Sequence, residues 1–200
     1  TDAIAAFTAA GRVDTFAMMP AMNLGAAVST FTGQNIGAGK MDRVKHGLRA
    51  ALLISAGISL ATTLVVVVFG WHLIAVFNSD PAVIAIGARY LLIVGGFYVV
   101  FSSMFAISGV LRGAGEAFVP MLVTLLALWG IRIPVSAWLS ARIGTDGIWW
   151  GIPVAWVAGF ILAAAYYRTG RWKRKALTAQ AASSPEEPAG SDGEWDVSKF

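Results

Sequence analysis

The chain has no cysteine in 200 residues, which excludes a disulfide framework and a thiolate metal site. Charge is scarce as well: Asp, Glu, Lys and Arg make up 13%, about half the quarter expected of a soluble domain. The two histidines, His46 and His72, lie far apart and outside the apolar runs, with no ligand spacing such as H-E-x-x-H. No metal and no cofactor are expected. No nucleophile stands beside a base and no two carboxylates share a depth, so an enzyme is not expected either. The chain begins at Thr1 without an initiator methionine, and no charged segment leads into its first apolar run. That argues against a signal peptide and suggests a piece of something longer.

What is abundant is apolar surface. Hydrophobic residues are 57% of the chain and its mean hydropathy is +0.69. Runs of about 20 apolar residues match a hydrocarbon core of about 30 Å at about 1.5 Å per residue. Five such runs occur: Val13–Thr32, Ala50–Phe69, Tyr90–Val110, Phe118–Leu139 and Ile148–Tyr167. The expected fold is therefore all-α, a polytopic membrane bundle of five transmembrane helices over residues 1–175. The remainder, 176–200, is small, polar and acidic without apolar periodicity, which predicts a disordered tail.

Positive charge sets the expected orientation. Lys40, Arg43, Lys45 and Arg49 fall in the first connection, Arg112 in the third, and Arg168, Arg171, Lys173, Arg174 and Lys175 after the last run. The other flanks carry only Arg12, Arg89 and Arg142. This asymmetry puts the N-terminus outside and the C-terminus in the cytoplasm. Basic clusters at membrane flanks are topogenic, so no nucleic acid partner is expected.

The first run is the most informative. Ala17, Ala21, Gly25, Ser29, Gly33 and Gly37 recur at every fourth position, and small residues at that spacing let helix backbones approach closely. A second face carries Arg12, Phe16, Met19, Asn23, Thr30 and Gln34, within roughly 20–40° of one another at about 100° per residue. Aromatic, thioether and amide groups in one stripe suit a cavity for amphipathic molecules, and structural glue between helices is the equal alternative. An unpaired amide at the depth of Asn23 is costly and needs a partner or water. Pro20 and Pro134 each remove one helical hydrogen bond. Arg132 is the one fully intramembrane cation and a functional candidate by default, though a structural role, snorkelling outward or bonding the carbonyls freed by Pro134, is the favoured alternative. Asp14 lies at the outer end of the first run, where it can titrate, pair with Arg12 or remain solvated at the interface. Trp129, Trp138, Trp149, Trp150, Trp156 and Trp172 sit mostly near run ends and read as interfacial anchors. Gly37-Ala38-Gly39-Lys40 ends like a phosphate-binding loop, but Gln34 replaces its first glycine and Met41 its magnesium-binding hydroxyl.

Four motifs then occur in order. Phe31-Thr32-Gly33-Gln34-Asn35-Ile36-Gly37-Ala38-Gly39 closes the first run, and Leu111-Arg112-Gly113-Ala114-Gly115-Glu116 with Pro120 follows the third. Arg132-Ile133-Pro134 and Gly147-Ile148-Trp149 complete the set. Together they resemble the multidrug and toxic compound extrusion (MATE) family over roughly residues 3–175. The resemblance implies two six-helix lobes, with this chain supplying helices eight to twelve of the C-terminal lobe and a missing N-terminal lobe as partner. It implies antiport, with cationic or amphipathic compounds leaving in exchange for protons or sodium. No Asp or Glu lies in Tyr90–Val110, which disfavours a sodium site of the type some members carry there. The substrate pathway is expected at Phe16, Met19, Asn23, Thr30, Gln34, Tyr98, Ser102 and Arg132, and ion coupling at Asp14. The alternatives are a lipid-linked oligosaccharide flippase of the same superfamily, whose cavity would hold several cations, a truncated membrane fragment that only packs with partners, and a homo-oligomer of five-span units.

Overall fold

The computed structural model describes residues 2–173 and Ala176. The expected tail from 177 on lies outside the described residues. All regular structure among the described residues is helical. Helix α1 spans Asp2–Gly37, α2 Met41–Ala75, α3 Pro81–Gly95 and α4 Tyr98–Gly113. A long final pair follows: α5 (Phe118–Leu125), a π-helical segment (Leu126–Ile131) and α6 (Arg132–Ile143) run on continuously, then α7 spans Thr145–Thr169.

By length and composition, α2, the α5–α6 run and α7 are each able to cross a membrane, and α3 with α4 form a fourth candidate bent by 48°. Helix α1 is long, at 36 residues, but polar groups such as Asp14 and Asn23 dilute it, and it does not reach the same apolar standard.

The third expected span, Tyr90–Val110, requires correction. It is not one helix but the end of α3 and most of α4, broken at Gly96-Phe97. The sequence supplies the cause. Gly95 and Gly96 have the weakest helical preference apart from proline, and the Gly95 carbonyl accepts a 2.6 Å hydrogen bond from Thr63 Oγ1 on α2. A neighbouring helix thus satisfies a backbone group that the break frees. Helix α3 starts earlier than the apolar run because Asp80 Oδ1 caps Ala82 N at 2.8 Å with Pro81 at the first helical position.

Helix α4 is central, packing on α1, α2 and α7. Its contact with α1 is backbone against backbone. A Cβ added at Gly113 would run into the Ser29 carbonyl, one at Gly109 into the Gly25 carbonyl, and one at Gly25 would come within 3.0 Å of the Phe105 carbonyl. Half of this seam is the four-residue stripe read on α1. The other half, Gly109 and Gly113 of α4, is its reciprocal and went unread in the sequence. A Cβ added at Gly37, at the end of the stripe, would have open space around it. A further unread stripe, Gly147, Gly151, Ala155, Gly159 and Ala163, is buried along α7. It seats that helix against α6 at Leu139 and Ser136 and against Met104 of α4.

Two apolar clusters fill the bundle. One is built on Val13, Tyr90, Tyr98, Phe101, Trp149 and Trp156. The second gathers Val44, Leu48, Val110, Leu111, Ala163 and Trp172. Three tryptophans expected as anchors are therefore core residues: Trp149 and Trp156 stack edgewise or tilted on Tyr90 and Phe101, and Trp172 lies on Tyr167. Trp129, Trp138 and Trp150 are exposed.

Candidate functional site

Asp14 is the polar centre of the cluster built on Tyr90 and Tyr98. It sits inside α1, not at its edge, because the helix begins at Asp2 and runs past the apolar boundary that hydropathy marks. Both carboxylate oxygens are engaged: Tyr90 donates to Oδ2 and Tyr98 to Oδ1, each at 2.5 Å. Asp14 is 6% exposed, and Tyr90 and Tyr98 are buried with it. The expectation of a solvated interfacial carboxylate, or one paired with Arg12, is thus corrected. The geometry follows from the broken helix. Tyr90 comes from α3 and Tyr98 from α4, and the bend between them lets both phenols converge on one side chain of α1.

Beside this triad opens a cavity of about 500 Å³, within the range of small-molecule sites. Asp14 and Tyr90 form its polar wall, Met18, Met19 and Met22 line the α1 side, and Arg132 enters from the opposite helix. Thioethers adapt to irregular apolar shapes. A carboxylate, a phenol and a guanidinium at the rim of such a lining provide both charge signs within one apolar enclosure. Arg132 directly follows the π-helical segment that ends at Ile131. Single π turns are frequent at functional sites, and Pro134, two residues on, withholds a further backbone donor.

Of the residues expected along the substrate pathway, the structure brings Met19 and Arg132 to this cavity with Asp14. Tyr98 joins them as a carboxylate partner. Ser102 is buried one turn away, accepting from Ser59 Oγ at 3.0 Å and donating to the Val99 carbonyl, beside a separate space of about 10 Å³ under Pro20. Phe16 is 71% exposed and Asn23, Thr30 and Gln34 are exposed as well, so that stripe faces away from the described bundle. Thr30 donates to the Ala26 carbonyl of its own helix.

Two functional-looking residues escaped the sequence reading. Tyr90 stood at the boundary of an apolar run and gave no signal beyond its own hydroxyl. Glu116, 2% exposed, accepts from Tyr166 at 3.0 Å at the far end of the bundle. It closes the second of the four motifs, just after Gly115, whose positive φ of 81° turns the chain, but the motif by itself gives it no role.

The comparisons with known proteins agree on one family. The MatE family model matches residues 1–138. A probable multidrug resistance protein of Bacillus subtilis, YpnP, is 34% identical over 87% of this chain and 39% of its own length. The probable multidrug resistance protein NorM of Thermotoga maritima is 26% identical over 82% of this chain and 36% of its own. The chain thus spans about two fifths of the length of these relatives. Among solved structures, an inward-facing multidrug resistance MATE family transporter superposes with a TM-score of 0.76 at 20% identity, over 90% of this chain and 40% of that one. The eukaryotic MATE transporter AtDTX14 does so with 0.80 at 22%, over 90% and 41%. The four motifs, the helical bundle and the family match converge: this chain is a multi-pass membrane protein of the MATE family.

Proposed function

We propose that this chain forms helices eight to twelve of an antiporter that exports cationic or amphipathic small molecules in exchange for protons or sodium, with Asp14 as the coupling carboxylate. The names of its relatives describe multidrug resistance, and the cavity fits a drug-sized molecule. The observation that carries the reading is a carboxylate held by two phenols at the wall of a methionine-lined cavity. An intramembrane carboxylate is costly and is a functional group by default. A proton or sodium ion arriving at Asp14 competes with Tyr90 and Tyr98 for the same oxygens. A cationic substrate competes for the same charge from the cavity side. Mutual exclusion at one carboxylate is the minimum that exchange requires.

In this reading α1 is the first of five spans despite its diluted apolarity, the N-terminus is outside, and the N-terminal lobe faces the cavity. Rocking of two such bundles would provide alternating access.

The test is gradient-driven export of a fluorescent lipophilic cation from proteoliposomes holding the complete transporter, with proton and sodium gradients imposed separately. Asp14→Asn is expected to reduce gradient-driven export at least about tenfold, the scale of one lost transition-critical charge interaction, while Asp14→Glu keeps part of it. Wild-type export by a monodisperse, helical Asp14→Asn protein, with unchanged gradient dependence, would refute the assignment.

A further inference from the structure

A second groove lies on the outside of the bundle along α5, away from Asp14. It measures about 410 Å³ and runs from Arg112 past Pro120, Met121 and Leu125 to Leu128 and Trp129. The helical stretch that forms it, Ala117 to Trp129, is about 18 Å long at 1.5 Å per residue. Half of a 30 Å hydrocarbon core is about 15 Å. The groove therefore has the length of one leaflet.

Its two ends differ chemically. Along the helix the lining is apolar, and the one hydroxyl, Thr124, donates to the Pro120 carbonyl of its own helix. Met121, Leu125 and Trp129 are each more than half exposed, an apolar strip that nothing in the described bundle covers. At the polar end stands Arg112. Among the described residues the ion pairs are Lys45–Asp42 and Arg89–Asp146, and neither reaches it. The carboxylate nearest in sequence, Glu116, is turned into the bundle toward Tyr166.

We propose that this groove binds an anionic phospholipid of the cytoplasmic leaflet, Arg112 holding the headgroup phosphate and Met121, Leu125, Leu128 and Trp129 covering one acyl chain. Arginine suits the phosphate because its planar fork makes paired charged hydrogen bonds. Another helix of polypeptide would cover the strip but would need its own anion at the depth of Arg112, whereas a lipid carries phosphate and chain at the right separation. The choice of leaflet rests on the orientation proposed above. The site itself does not depend on Asp14.

Quenching of tryptophan fluorescence tests the idea. The intact protein is placed in nanodiscs of phosphatidylcholine doped with phosphatidylglycerol, and bromine is carried on the acyl chains of one lipid at a time. Subtracting the signal of Trp129→Phe isolates Trp129. Brominated phosphatidylglycerol is expected to occupy the groove roughly five- to tenfold more readily than brominated phosphatidylcholine, the worth of one charged contact near the membrane surface. Arg112→Gln should abolish that preference and Arg112→Lys should keep part of it, with export by either variant in phosphatidylcholine unchanged. Equal quenching by both lipids, meaning ordinary boundary lipid, would overturn the proposal. So would quenching by neither, meaning that polypeptide fills the groove, or loss of the preference to added inorganic phosphate, meaning a site for a soluble anion.

Discussion

At the scale of single residues, the buried polar centre of the bundle is one carboxylate and two phenols. Each phenol of the triad is buried and bonded only once in what is described, so removing one hydroxyl leaves a carboxylate oxygen exposed to an apolar wall. Tyr98→Phe is expected to lower stability by about 1–3 kcal/mol, and Tyr90→Phe by a similar amount. Because both act on the same group, the double substitution should depart from additivity. Denaturant unfolding in detergent, followed by helical circular dichroism, measures all three. Tyr166→Phe is the control: its hydroxyl bonds Glu116 at the far end of the bundle, so its effect should add independently to that of Tyr98→Phe.

At the scale of elements, the α1–α4 seam and the broken α3–α4 span decide where everything else stands. Gly113→Leu should collide with the Ser29 carbonyl and Thr32. Overpacking of this kind costs about 1–3 kcal/mol, and more where the obstacle is backbone that has no rotamer to change. Gly37→Leu, on the same stripe of α1, meets open space and should leave the thermal midpoint in detergent nearly unchanged. Comparing the two midpoints separates packing from mere glycine content. Hydropathy and four-residue spacing reveal α2, α7 and the α1 half of the seam directly, since both signals are carried by residues contiguous in one helix. They do not reveal the break at Gly96-Phe97. That bend depends on Thr63, from another helix, taking up the Gly95 carbonyl, and a one-dimensional pattern contains no such partner. The same limit explains the site. Asp14 looks interfacial when depth is judged from the start of the apolar run at Val13. Its burial comes from Tyr90 and Tyr98, which reach it across 76 and 84 positions of sequence. Arg132 could be singled out because intramembrane charge is rare anywhere. The polar stripe of Phe16, Asn23, Thr30 and Gln34 shares a face of α1, but a shared face does not say toward which neighbour it points.

At the scale of the whole molecule, the chain is a lobe-sized part of something longer in its relatives, with α1 presenting polar and apolar groups outward together. Two outcomes are expected. Expression of residues 1–200 alone should give drug efflux no higher than an empty vector, measured with the same lipophilic cation. The absence of native cysteine also makes orientation directly measurable in this chain. A cysteine placed at Lys40 or Ala117 should react with a membrane-impermeant maleimide only from the cytoplasm, and one at Ser79 or Thr145 only from outside.

The glycine seam has a mechanical side. From Gly25 to Gly33, α1 lies backbone to backbone on α4. Just outside that stretch, Pro20 interrupts the helical hydrogen bonds. Were α1 to hinge at Pro20, its N-terminal arm, which carries Asp14 into the core, would act as a lever. Asp14 sits about 9 Å along it and Asp2 about 27 Å, at about 1.5 Å per residue. A rotation about that point that moved the carboxylate by about one ångström would sweep the N-terminal tip by about three, while the clamped arm on the other side stayed still.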